Sequence, residues 1–424
     1  LPAILAGKDV RAQAKTGSGK TAAFGLGLLQ RIDAKNFNTQ SLILCPTREL
    51  ADQVANELRR LARYIPNLKI LTLCGGVPFS VQRDSLVHAA HILVATPGRL
   101  LDHLHKETVR LDHLQTLVLD EADRMLDMGF ADDIDAVISF APEDRQTLLF
   151  SATWPDSIAA ISRRIQNNPQ TIEINSVNEL PDVEQQFYEV SRHDKIDLLQ
   201  KLLSREQPAS CVVFCNTKKD CQAVYDALMD SRQSVLVLHG DMEQRDRDQT
   251  LVQFANGSSR VLVATDVASR GLDIKALEMV INFELSWDPE VHVHRIGRTA
   301  RAGQSGLAIS LCSPEEAQRA NVLEEMLNMK LNWLPEPTGL RITPLEAQWA
   351  TLCLDGGKKA KIRPGDILGA LTGEVGLEGD DIGKIAIHPM HAYVAIKKSV
   401  ANKAWKQLQQ GKIKGKSVRA RLLK

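Results

Sequence analysis

The segment AKTGSGKT (Ala14–Thr21) places two glycines ahead of a lysine and a hydroxyl residue. Glycine lets the backbone turn tightly enough to aim successive N–H groups at one anion, and a following helix N-terminus adds positive potential. Such a loop binds nucleotide phosphates, with Ala14, Thr16, Gly17, Ser18 and Gly19 wrapped around them. Lys20 then reaches the β- and γ-phosphates, and Thr21 holds Mg2+. One departure is that Ala14 stands where the general GxxxxGK[ST] pattern has glycine. Further along, VLDEAD (Val118–Asp123) ends an apolar run in acids. Asp120 at such a strand end orients the metal through its waters, and Glu121 polarises the water that attacks the γ-phosphate. A third segment, HRIGRTARAG (His294–Gly303), spaces Arg298 and Arg301 three apart, so they share a face on a helix or tight turn. In isolation such a cluster reads as a solvated surface; beside the further motifs given below it suits charge stabilisation in a phosphoryl-transfer transition state.

Alternating strands and helices must position these groups. SLILC (Ser41–Cys45), KILTLC (Lys69–Cys74), HILVA (His91–Ala95), TLVLD (Thr116–Asp120) and QTLLF (Gln146–Phe150) read as buried strands. Between them, Glu49–Arg63 sets Leu50, Val54, Leu58 and Leu61 on one helical face. The rhythm pauses at NSVNELP (Asn175–Pro181) and resumes with SCVVFC (Ser210–Cys215), SVLVL (Ser234–Leu238), RVLVA (Arg260–Ala264), MVINF (Met279–Phe283) and LAISLC (Leu307–Cys312). This pattern predicts two α/β domains in tandem, residues 1–174 and 182–334, each a parallel sheet with helices on both faces. PEPTG (Pro335–Gly339) opens a linker expected over 335–345.

Residues 346–424 change rhythm. Strand (Ala350–Leu354), helix (Arg363–Gly373), strands (Ile382–His388 and Ala392–Ile396), helix (Val400–Gln410) and strand (Ser417–Leu423) give βαββαβ, the order of an RNA-recognition-motif fold. From Trp349 onward there are fifteen Lys and Arg against six Asp and Glu, although the whole chain is neutral. A basic module on an acidic body points to a polyanionic partner. Lys358, Lys359, Lys361 and Arg363 form one basic cluster, and Lys412, Lys414 and Lys416 another. Aromatic platforms are few: Tyr393 is a candidate for base stacking, or else packs inward, and Trp349 and Trp405 are less clear. Seven scattered cysteines without a CxxC pair predict a reducing, cytoplasmic setting with neither a disulfide framework nor a zinc site. No apolar run approaches the ~18–20 residues of a membrane span.

The literal DEAD tetrad at Asp120–Asp123 resembles that of the DEAD-box RNA helicases, and further segments resemble that family in order. These are PTREL (Pro46–Leu50), Gly75–Gly76, TPGR (Thr96–Arg99), SAT (Ser151–Thr153), VFCNT (Val213–Thr217), LHGDMEQRDR (Leu238–Arg247) and ATDVASRGLDI (Ala264–Ile274). The resemblance implies two RecA-like domains and ATP with Mg2+ as cofactors. It implies RNA backbone contacts at Pro46, Thr47, Arg48, Gly76, Thr96, Arg99, Thr217, Arg247 and Thr265. It places Asp273 near the ribose and assigns Ser151, Thr153, His294 and Arg295 to coupling hydrolysis with unwinding. The activity implied is RNA-stimulated ATP hydrolysis with local, non-processive unwinding. The family also reads adenine with a glutamine-containing segment upstream of the phosphate loop, and the present chain is read as trimmed of it.

GGKKAKIRPGDILGALTG and QQGKIKGKSVRARLL resemble the C-terminal domain of the bacterial DbpA subfamily. That implies docking, through Lys358, Lys359, Lys361 and Arg363 among others, on a 23S rRNA hairpin during assembly of the large ribosomal subunit. The partners expected are therefore RNA and pre-50S particles, with the protein a monomer.

Overall fold

The computed structural model describes residues 1–14, 18–173, 183–266, 277–299, 306–410, 413, 415 and 417–423. These form two compact units, the first ending before the break at 174 and the second beginning at 183.

In the first unit, β1 (Val10–Gln13), β2 (Ser41–Leu44), β3 (Ile70–Leu73), β4 (Ile92–Ala95), β5 (Thr116–Leu119), β6 (Gln146–Ser151) and β7 (Gln170–Glu173) form one sheet. Its order is β3-β4-β2-β5-β6-β1-β7, and every pairing is parallel. The central strands SLIL, ILVA and TLVL are buried along their whole length, so both faces need cover. Helix Arg48–Leu61 supplies it on one face with Leu50, Ala51, Val54, Ala55 and Leu58. Helix Pro97–His105 supplies it on the other with Leu100, Leu101 and Leu104.

The second unit repeats the plan. Strands β8 (Val183–Glu189), β9 (Cys211–Cys215), β10 (Val235–Leu238), β11 (Val261–Thr265), β12 (Met279–Asn282), β13 (Gly306–Cys312) and β14 (Trp333–Leu334) stand in the order β10-β11-β9-β12-β13-β8-β14. Counted from the first strand of each unit, the two orders are identical. Lys195 opens the helix that follows β8 and is buried, with Nζ donating to Phe283 O at 2.8 Å, Leu311 O at 3.0 Å and the Glu316 carboxylate.

The C-terminal module belongs to this second unit. Strands β15 (Trp349–Leu354), β16 (Ile382–Ile387), β17 (Ala392–Lys397) and β18 (Ala420–Leu422) form an antiparallel sheet in the order β16-β17-β15-β18. Helices Pro364–Gly369 and Lys398–Gln410 complete the βαββαβ series. Leu352, Leu354, Val394 and Ile396 point into a core shared with Ile367, Leu371, Ala404 and Leu408. The opposite face meets the end of helix Gln244–Ala255. Asn256 Nδ2 donates to Thr351 Oγ1 at 2.9 Å, and Ser258 Oγ lies 2.8 Å from the same hydroxyl.

The expected linker is also bound down at its end. Leu345 is fully buried in the core of the second parallel sheet. Its N–H donates to Gln233 Oε1 at 2.6 Å, and Thr343 N donates to Ser204 Oγ at 2.8 Å.

Candidate nucleotide and RNA sites

Parallel sheets gather ligand-binding groups beyond the carboxyl ends of their strands. In the first unit every motif lies there. The phosphate loop follows β1, PTREL follows β2, the glycine pair follows β3, TPGR follows β4, the tetrad follows β5, and SAT closes β6. Thr16 and Gly17 of the loop lie outside the described residues. What surrounds them fits a phosphate cradle. Ala14 N donates to Ser151 O at 2.9 Å, tying the loop to the SAT strand. Gly19 takes φ +83°, a left-handed conformation that suits glycine, and caps the helix opened by Lys20 and Thr21.

Lys20 Nζ faces Asp120 Oδ1 at 3.9 Å, both side chains buried. Neither atom makes a hydrogen bond among the described residues. A buried ammonium and a buried carboxylate without donors or acceptors are costly alone, and they match a ligand that brings anionic oxygens and a cation. Burial is the main cause that raises the Asp120 carboxyl to about 6, against the pull of Lys20.

Glu121 has φ +54°, rare for a residue with a side chain. Its carboxylate accepts from Arg124 Nη1 at 2.8 Å, both groups being nearly buried. Asp123 then joins the tetrad to the SAT turn. Its Oδ2 accepts from Ala152 N at 3.1 Å, Thr153 N at 3.0 Å and Thr153 Oγ1 at 3.0 Å. Thr153, expected to couple, thus has a direct bond to the acidic motif. Ser151 is buried beside it, its hydroxyl unpaired among the described residues.

Among the residues expected to contact RNA, Thr47 caps helix Arg48–Leu61, its Oγ1 accepting from Leu50 N at 3.3 Å. Pro46 is buried, while Arg48 lies half-buried 3.8 Å from Asp52. Gly76 has φ +77°. Thr96 precedes helix Pro97–His105, and Arg99 turns back from that helix, Nη1 donating to Val77 O at 2.7 Å and Gln82 Oε1 at 2.8 Å. Arg99 therefore also ties two of the expected RNA loops together. Gln82 is the hub: it donates to Cys74 O at 2.9 Å and lies 3.1 Å from His103 Nε2.

In the second unit, Thr217 caps the helix after β9 as Thr47 does after β2, its Oγ1 accepting from Asp220 N at 3.1 Å. Thr265 ends β11, and Arg247 donates to His239 O at 3.3 Å. Arg295 is buried and uses all its donors. They reach both Asp266 oxygens at 2.7 and 2.6 Å, Asn216 Oδ1 at 2.8 Å, Glu284 O at 2.8 Å and Asn282 Oδ1 at 3.3 Å. Five N–H groups are the whole inventory of a guanidinium, so Arg295 is an anchor that gathers the ends of β9, β11 and β12. His294 precedes it on the same helix, and Arg298 follows that helix, its N–H donating to Arg295 O at 3.1 Å. Asp273 and Arg301 lie outside the described residues.

The DEAD/DEAH box helicase family model matches residues 1–161, and that of the helicase conserved C-terminal domain matches residues 194–303. The ATP-dependent RNA helicase DbpA of Escherichia coli (strain K12) is 75% identical over 424 residues, covering 100% of this chain and 93% of that protein. The chain belongs to the DEAD-box RNA helicases. It is accordingly an ATP-hydrolysing enzyme that acts on RNA. Among more distant DEAD-box relatives, CshA of Geobacillus kaustophilus (strain HTA426) is 41% identical over 339 residues, 80% of this chain and 72% of CshA. The structure of S. cerevisiae Dbp5 bound to RNA and ADP BeF3 aligns with a TM-score of 0.71 at 31% identity, covering 78% of this chain and 86% of that one. The two parallel sheets are thus tandem RecA-like domains, as expected.

The DbpA RNA binding domain model matches residues 351–422 of this DEAD-box chain. In its basic turn Lys358, Lys359, Lys361 and Arg363 are all exposed. The turn is fixed from behind, since Lys358 N donates to His388 O at 2.9 Å and Lys359 N to Pro389 O at 3.0 Å. Of the two readings open for Tyr393, the structure has the ring buried. At 2% exposure it packs between His388 and His391 on the face that meets the second RecA-like domain, so its ring offers no open stacking platform. Trp405 packs inward too, its Nε1 donating to Ala420 O at 3.1 Å. Lys412, Lys414 and Lys416 lie outside the described residues.

Sequence reasoning missed Asp123, Arg124, Gln82 and Asp266 as members of the site. Asp123 and Arg124 adjoin named motif residues, which was a usable signal. Gln82 and Asp266 gave none, because their roles depend on which distant side chain reaches them.

Proposed function

We propose that this DEAD-box helicase docks through its C-terminal domain on a 23S rRNA hairpin and unwinds short neighbouring duplexes in pre-50S particles, as a cytoplasmic monomer. The observation that carries this reading is the rigid, exposed turn of Lys358, Lys359, Lys361 and Arg363 on a module with no exposed aromatic ring among its described residues. Charge and loop shape, more than base stacking, then hold the RNA.

ATP binds on the loop Ala14, Thr16, Gly17, Ser18 and Gly19, with Lys20 on the terminal phosphates and Asp273 at the ribose. Mg2+ fits beside Asp120, whose Oδ1 makes no hydrogen bond among the described residues; Thr21, and Asp120 through water, would hold it, and when bound it would offset phosphate charge. Glu121, steadied by Arg124, polarises the attacking water. Arg298 and Arg301 stabilise the charge that develops. Pro46, Thr47, Arg48, Gly76, Thr96, Arg99, Thr217, Arg247 and Thr265 hold the RNA sugar–phosphate backbone. Ser151, Thr153, His294 and Arg295 relay the nucleotide state to that grip. Because both domains supply essential groups, ATP and RNA bind cooperatively.

The test is ATP hydrolysis without RNA, with generic single-stranded RNA, and with a 23S rRNA fragment containing the hairpin. Strong stimulation by the rRNA fragment alone supports the proposal. Equal stimulation by both RNAs removes the rRNA target, and stimulation by neither removes the coupling mechanism.

A further inference from the structure

The antiparallel register of β15 and β17 brings together three groups that the sequence scatters. Cys353 pairs with Tyr393 and Leu354 with Ala392, so continuing the register sets Asp355 beside His391. Alternation along each strand then puts Cys353, Asp355, Tyr393 and His391 on one face of the sheet. One ligand atom from each of Cys353, Asp355 and His391 lies within 4.8 Å of the other two. His391 Nδ1 is 3.4 Å from Asp355 Oδ1. That nitrogen is buried and makes no hydrogen bond among the described residues. The Cys353 thiol is fully buried beneath the pair.

We propose that Cys353, Asp355 and His391 bind a divalent transition metal, Zn2+ before others, at one end of the C-terminal sheet. One sulfur, one imidazole nitrogen and one carboxylate oxygen make a borderline-soft set that favours zinc over magnesium. Tetrahedral bonds of about 2.0–2.3 Å place ligand atoms about 3.3–3.8 Å apart. The observed triangle closes to that size by small side-chain rotations of Asp355 and His391. Exposed Asp355 leaves the fourth position to water.

The zinc ion enters as the aqueous dication, the Cys353 thiol proton leaves to solvent, and no electrons change hands. Arg421 Nη2 donates to Cys353 Sγ at 3.4 Å. Its charge opposes a cation, yet the same hydrogen bond favours ionised sulfur and persists on a metal thiolate. The metal would also clamp the turn His388–His391 to β15, and that turn holds the Lys358 and Lys359 backbone.

Co2+ binding to the whole 424-residue chain, with any affinity tag removed, tests the site. The expected result is one Co2+ per chain with a thiolate-to-cobalt charge-transfer band, displaced by one equivalent of Zn2+. Cys353→Ser should abolish the band. Loss of an outer-shell partner weakens metal binding ~10–100-fold, so His391→Ala, which removes a ligand, should weaken it at least ~100-fold. Circular dichroism on both variants shows whether they fold, and a thermal midpoint raised by Zn2+ only in the unmodified chain gives a second readout. Absence of the band in the unmodified chain, or the same band in folded Cys353→Ser and His391→Ala, overturns the proposal.

Discussion

Arg124 lies outside the tetrad, yet it holds Glu121, the carboxylate proposed above to polarise the attacking water. The 2.8 Å pair with Glu121 is nearly buried, and Glu121 carries a left-handed backbone besides. That conformation costs about 1–2 kcal/mol, which surrounding contacts must offset. Breaking a buried ion pair from one side costs about 3–5 kcal/mol, because the other charge is left uncompensated. Arg124→Met keeps the aliphatic stem and removes the charge. A folded variant relieves part of that cost by swinging Glu121 away from its native rotamer. Restoring the catalytic pose then takes about 2–3 kcal/mol, which is about 30–150-fold in kcat. KM for ATP should change less than about twofold, since Lys20 and the phosphate loop are untouched. Arg124→Lys should recover part of the rate. Urea denaturation of the single variants Arg124→Met and Glu121→Gln and of the double variant should give a coupling energy of about 2 kcal/mol. An unchanged kcat in Arg124→Met, or a coupling below about 0.5 kcal/mol, would refute the assignment of Arg124 as the positioning residue.

Asp120, raised to about 6 by burial, must be ionised to serve a cation; kcat/KM for ATP should therefore fall about tenfold per pH unit below pH 6. For a raised carboxyl the sign for stability is opposite: the nucleotide-free chain gains stability from this group as pH falls through 6 toward the unfolded value, and Asp120→Asn should remove that gain in pH-dependent melts. Replacing Lys358, Lys359, Lys361 and Arg363 with Gln should weaken rRNA binding and flatten the log–log salt slope by about 0.7 for each lost phosphate contact, read by fluorescence anisotropy across salt. Gly357→Ala should unfold or displace the basic turn, because a Cβ there would lie 2.1 Å from His388 O, a backbone atom already held by Lys358 N; loss of RNA binding with intact basal ATPase is the expected result.

The sequence made the inner strands easy to read because burial on both faces turns them into unbroken apolar runs, as in SLIL and TLVL. It concealed β8, whose residues VEQQFYE alternate and carry polar side chains. The two-residue strand Trp333–Leu334 is too short to show any period. Lys20, Asp120 and Glu121 could be singled out as candidates because their motif chemistry demands fixed neighbours in the chain. Arg295 was singled out only through the family resemblance, and its partner Asp266 was not, since that pairing is made only by strand order. Tyr393 was ambiguous for a related reason. Alternation tells which residues share a face, but not whether another domain covers it. The docked end of the 335–345 segment could not be singled out, because Leu340, Ile342 and Leu345 are all apolar and of the three only Leu345 is buried.

The identical strand order of the two parallel sheets has a genealogical meaning. It is what a duplicated ancestral nucleotide-binding unit would leave behind, and the helix-opening lysines mark the divergence. Lys20 follows the first strand of one copy, with its ammonium aimed at Asp120 just beyond β5. Lys195 follows the first strand of the other, with its ammonium bonded to Phe283 just beyond β12, the counterpart of β5, and closed off by Glu316. In one copy the lysine faces an acid without a hydrogen bond among the described residues. In the other, backbone carbonyls and Glu316 take up the lysine's charge, so that the same position serves to hold the sheet together.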